Sequence, residues 1–199
     1  MRALNSPIWQ DQFQLWLKRA GGKAHLADLA GAPSLAEHLR VLAVKLPQNQ
    51  HLGRQELHAT GLMGEQRAAL HFHVDGGAGA PVVIYHHELG ERPCTRTIED
   101  MFPRGATRNL TVFVVEAPYH DIPRAAETAT RSLRSHMAMM AVSIAVTEQL
   151  LATKRVQAAP LRVVAGYGQG GFIANLHHLI HNSAELYIPF MAGAAPADA

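Results

Sequence analysis

Apolar residues recur along this chain with two different periods. After Ser6-Pro7, a start signal for a helix, Ile8, Trp9, Phe13, Trp16 and Leu17 follow at helical spacing until Gly21-Gly22. A second helix is predicted from Ser34 to about Lys45, before Pro47, with Glu37 completing a capping box and Leu35, Leu39, Leu42 and Leu46 as its apolar stripe. The period then shortens to two. Gln55 to Ala59 reads as extended, a turn falls near Gly61 to Gly64, and Ala68, Leu70, Phe72 and Val74 alternate with Arg67, Ala69, His71 and His73. These runs predict an antiparallel pair, with His71 and His73 facing outward.

Beyond the Gly76 to Gly79 loop the text alternates strand and helix. Strands are predicted at Val82–Tyr85, Leu110–Val115, Leu161–Ala165 and Leu186–Met191, the last weakened by Pro189. Helices are predicted at Thr97–Phe102, Ala125–Thr153 and Gly170–His181. Met137 to Met140 reads as helix packing. The alternation implies an α/β fold: a mostly parallel sheet with helices on both faces. An N-terminal helical segment over 1–50 and an α/β domain over 51–199 are expected to form one compact unit.

Composition changes this picture little. The 199 residues carry 18 basic and 16 acidic side chains, a net charge of +2 with no clustered basic patch, so no nucleic-acid partner is expected. Cys94 is the single cysteine, which excludes an intramolecular disulfide. No apolar run approaches the roughly 20 residues of a membrane span. Met1 to Gln10 has no apolar signal core, so a cytoplasmic chain is expected. The unusual number is 13 histidines.

In open α/β sheets ligands bind beyond the carboxyl ends of the strands. Three segments fall there: His86-His87-Glu88, Glu116 to His120, and Gly166-Tyr167-Gly168-Gln169-Gly170-Gly171. The hexamer has the spacing of a nucleophile elbow, Gly-x-Ser-x-Gly, in which small neighbours let strand and helix close and the turn aims its central residue at the cleft. Gly166, Gly168 and Gly171 also fit a dinucleotide loop, but no acidic residue about 20 positions on lies in a following strand and no Gly-Lys-Ser/Thr is present. His177 and His181, four apart on one helix with His178 between, lack both a His-Glu-x-x-His pattern and an evident third ligand. They read as a solvated face, and no metal or cofactor is expected.

With these landmarks in place, the stretch from about Glu56 onward resembles the α/β-hydrolase superfamily. His86-His87-Glu88-Leu89-Gly90 is similar to the His-Gly loop that supplies an oxyanion-hole amide. Glu116-Ala117-Pro118-Tyr119-His120 is similar to the Asp-x-Pro-Gly-His segment after the next strand. Gly166 to Gly171 resembles the Gly-Tyr-Ser-Gln-Gly-Gly elbow of cutinase-like esterases and the Gly-Tyr-Cys-x-Gly-Gly elbow of dienelactone hydrolases.

The resemblance implies an ester hydrolase, and the departures from it imply impaired or absent catalysis. Gly168 stands at the nucleophile position and has no side chain to attack with. Only Asp198 follows the last predicted strand as an acid, and no histidine follows His181, so the fold is expected to be C-terminally short. The family's oxyanion donors map onto an amide near His87 and the amide of Gln169. The implied partner is a small ester-like molecule. The alternative is a non-catalytic binding or assembly module, forming a homo-oligomer through an exposed sheet edge.

Overall fold

The computed structural model describes residues 31–102, 105–120 and 129–192. The helix expected from Ser6, with its Trp9–Leu17 stripe, lies outside them, as does Asp198. The described chain begins with α1 (Leu35–Val41), where Ser34 accepts from the Glu37 amide and Glu37 bonds back to the Ser34 amide, as the capping box predicts. This helix is shorter than expected. Leu42 is already extended, and Ala43–Lys45 form strand β1, not a last helical turn. The reason is tertiary: β1 pairs antiparallel with His58–Thr60, and Val44 is buried in the core. A helical Val44 would lose both.

Strands β2 (Gly53–Gly61) and β3 (Gly64–Val74) form the predicted hairpin, paired from Gly53↔Phe72 to Gly61↔Gly64. Then come β4 (Val82–His86), α2 (Arg96–Met101), β5 (Thr111–Glu116), α3 (Leu133–Leu151), α4 (Lys154–Gln157), β6 (Arg162–Tyr167), α5 (Gln169–Ile180) and β7 (Leu186–Phe190). The sheet order is β1-β2-β3-β5-β4-β6-β7. β4 is parallel to β5 and β6, and β6 to β7; β3 is antiparallel to β2 and β5. β2, β4, β5, β6 and β7 thus run one way, and β1 and β3 the other. Pro189 is accommodated because β7 is paired on only one side among the described residues.

Helices cover both faces. On one, Ile98 and Met101 of α2 pack on Tyr85, Val112, Val114 and Val163. On the other, Val142, Val146 and Leu150 of α3, Val156 of α4 and Ala174 of α5 meet Leu57, Leu70, Ile84, Phe113 and Val164. Met139 and Met140 are fully buried in the helix layer with Ile144 and Ile173, as packing residues. Among the described residues no helix is long and apolar enough to cross a membrane.

The register decides where function lies. His86 is level with Val115 on β5 and with Gly166 on β6. The three parallel strands therefore end together, and the loops leaving them open onto one rim. Phe113, fully buried at the centre of the sheet and stacked 4.7 Å from Phe72, should be the main anchor of this alignment. Phe113→Ala is expected to destabilise the fold by about 3–5 kcal/mol, read as a shift in the urea unfolding curve.

Candidate active site

The glycine hexamer forms the predicted strand-to-helix turn. Gly166 and Tyr167 end β6, Gly168 is the N-cap of α5, and Gly170-Gly171 lie in its first turn. Two close approaches explain the spacing. A Cβ on Gly166 would lie 2.3 Å from the Gly170 carbonyl, and a Cβ on Gly170 would lie 2.0 Å from the His86 carbonyl oxygen. The helix start is thereby pressed against the ends of both β6 and β4. Gly168 has φ 52° and ψ −114°, outside the regions open to ordinary L-residues. Glycine holds this conformation without the strain another residue would carry.

The space beside Gly168 is filled from another element. A Cβ built there would lie 1.2 Å from Glu88 Oε2. Glu88, in the loop after β4, accepts from the Gln169 amide at 3.1 Å through Oε2 and from its neighbour Leu89 at 2.7 Å through Oε1. A carboxylate therefore sits at the apex of the elbow, on one amide from each flanking loop. Burial raises the Glu88 pKa, as does Glu91 nearby, while the two amides pull it down. Glu91 braces the loop in turn, accepting from the Glu88 amide at 2.9 Å and the Thr97 amide at 2.6 Å.

Two backbone amides converge on this carboxylate. The Gln169 amide points at the apex. On the other side the amide that engages is Leu89's, two residues beyond His87. The His87 ring is a buried spacer: its Nε2 accepts from the Ala117 amide at 3.1 Å, which leaves the proton on Nδ1, directed at the Glu88 carbonyl 2.7 Å away. His120 packs edge-on against it, with ring centroids 4.4 Å apart, and accepts from the Gly90 amide at 3.0 Å. His86 bonds Thr147 Oγ1 at 2.8 Å, and that hydroxyl donates to the Ser143 carbonyl. These rings hold the loops and are neutral. Burial, helped by neighbouring rings, lowers His86 and His87 from 6.5 to about 3.

Two outward readings need correction. β3 is an interior strand, so His71 is largely buried and bonds Glu116 Oε2 at 2.6 Å. Arg54 grips the same carboxylate through Nε at 2.9 Å and Nη2 at 3.2 Å. Burial alone would raise the Glu116 pKa, but the bonds from His71 and Arg54 bring it to about 2. His177 is fully buried, not solvated, because that side of α5 packs on Tyr187 of β7 and Glu148 of α3. Its Nδ1 lies 3.2 Å from the Tyr187 hydroxyl.

The comparisons come from solved structures. No protein-family model matches the chain, and no curated protein matches it in sequence. Brefeldin A esterase, a bacterial homologue of human hormone-sensitive lipase, is 15% identical over 94% of this chain and 56% of its own, with a TM-score of 0.49. Est1E from Butyrivibrio proteoclasticus is 15% identical over 73% and 54%, TM-score 0.48. Acetyl xylan esterase 1 from Thermoanaerobacterium is 12% identical over 78% and 54%, TM-score 0.44. The chain spans about half the length of these structures. The fold is α/β-hydrolase-like, and the element order, the strand directions and the glycine turn carry that assignment.

Glu88 was legible only as part of the loop after β4, since no spacing says that its carboxylate crosses to Gly168. Its removal makes a direct check. Glu88→Ala should expose the Leu89 and Gln169 amides, so added acetate should shift their NMR signals in that variant and leave them unmoved in the native protein. The buried rings make a second. Unfolded, His86 and His87 take a proton near pH 6.5; folded, only near 3. Between these values the unfolded chain binds more protons, so stability is full above the window and falls as pH drops through it. The loss is expected to reach about 1.4 kcal/mol per pH unit for each ring, and His87→Gln should flatten the slope seen by urea denaturation.

Proposed function

We propose that this protein is an α/β-hydrolase-fold relative of serine esterases and lipases that does not hydrolyse esters at its elbow, its oxyanion pocket being held by its own Glu88. The observation that carries this reading is the carboxylate on the Gln169 and Leu89 amides, 1.2 Å from where a side chain on Gly168 would begin. Nucleophilic catalysis needs an attacking atom at the apex and free donors for the developing oxyanion. Here the first is missing and the second are engaged. Donors without a nucleophile support only weak residual rates. The site is then a binding site of the cytoplasm, for a small ester-like molecule that displaces Glu88.

Initial rates with p-nitrophenyl butyrate test this. The native chain should be no faster than the unfolded chain. Gly168→Ser alone should gain nothing, because its Cβ meets Glu88 Oε2; combined with Glu88→Ala it should fold with the hydroxyl accommodated. Saturable turnover by the native chain, abolished by Gly168→Ala, overturns the proposal.

One feature favours assembly as a second reading. β7 has one open side among the described residues, and Leu186 and Met191 at that edge are exposed, with Leu179 and Ile180 of α5 also exposed. An open apolar edge is a template for pairing with another chain. Light scattering across a concentration series should then give a dimer, and a monomer throughout counts against it.

A further inference from the structure

We propose that His71, Cys94 and Glu116 form a binding site for a borderline divalent cation of the zinc type. Three elements far apart in sequence meet here: β3, the loop before α2, and the end of β5. One donor atom from each residue, a ring nitrogen, the thiol sulfur and a carboxylate oxygen, lies within 4.8 Å of the other two. Tetrahedral zinc holds such ligands at about 2.0–2.3 Å, which spaces them roughly 3.3–3.8 Å apart, so closing the cluster needs side-chain adjustment only. A sulfur, nitrogen and oxygen set selects zinc-like cations over magnesium or calcium.

The surroundings fit an ion. Cys94 is 5% exposed, and the side chains of His71 and Glu116 are 18% and 10% exposed, so the donors are shielded from water. They border a cavity of about 530 Å³ that Glu91 and His120 also line, which leaves an entry path and room for water as a fourth ligand. Three protein donors with an open fourth position is the pattern of reactive, rather than closed structural, zinc sites.

Arg54 is the strongest objection, since it already pairs with Glu116. Its two bonds use two of the roughly four acceptor positions of the carboxylate, and the His71 Nε2 bond uses a third. When Nε2 turns to the cation its proton moves to Nδ1 and that third position is freed, which leaves two for the cation. Arg54 then acts as the outer partner that orients a ligating carboxylate. Charge is tolerable too: thiolate and carboxylate together offset the ion beside the guanidinium. Burial, with Glu116 and Glu91 nearby, pushes the Cys94 thiol up to about 12, so it is protonated in the free protein and a bound cation must displace that proton.

The chain's single cysteine makes the test specific. Cobalt(II) added to the full-length native protein should give a thiolate-to-metal charge-transfer band at one equivalent. That band can come only from Cys94, whereas the other histidines can bind cobalt without producing it. Cys94→Ser should abolish the band. Zinc should compete it away, and zinc affinity by calorimetry should fall in His71→Ala and Cys94→Ser. Arg54→Gln, which leaves all three ligands, should weaken zinc by about tenfold. Circular dichroism on each variant separates loss of binding from loss of fold. Cobalt binding without the band, or zinc affinity equal in native protein and folded Cys94→Ser, overturns the proposal.

Discussion

The structure depends on one close approach, that of the first turn of α5 to the ends of β6 and β4. Gly170 faces the His86 carbonyl with no room for a Cβ, and Gly166 faces Gly170 in the same way. Nothing larger than hydrogen fits at either position. This contact brings the helix N-terminus to the level at which β4, β5 and β6 end together, and it turns Gly168 into a conformation that only glycine adopts without strain. The site is a consequence of that packing.

The loop after β4 uses the space so created. Gly168 carries only hydrogen at the turn, and Glu88 enters the gap from the neighbouring loop. The carboxylate is held by two backbone amides, which favour negative charge, within a protein interior that disfavours it. The loop is kept in place by neutral histidines, each spanning two backbone groups: His87 between Ala117 and Glu88, His120 between Gly90 and Pro118. Burial that forbids a second proton is what makes these rings dependable struts near neutral pH.

Much of the fold was legible because it rests on periodicity. The hairpin of β2 and β3, the buried parallel strands and the glycine turn all follow from local spacing, with ends displaced by a few residues. Three features were not legible. Ala43–Lys45 is a strand only because β2 offers it an open edge. His71 and His177 lie on faces that look polar in one dimension and become interior once β5 and β7 pack beside them. Glu88 lies 80 residues from Gly168 in sequence, and Cys94, His71 and Glu116 are likewise scattered, so no motif joins them.

What the sequence determined by itself is the succession of elements and the place of the turn, because those depend on the period of apolar residues and on where glycine is required. What only the tertiary structure decided is which side chains share a volume. That depends on strand order and register, which bring together residues that no local pattern connects: a carboxylate onto the amides of the elbow, and a thiol, an imidazole and a second carboxylate beside one cavity.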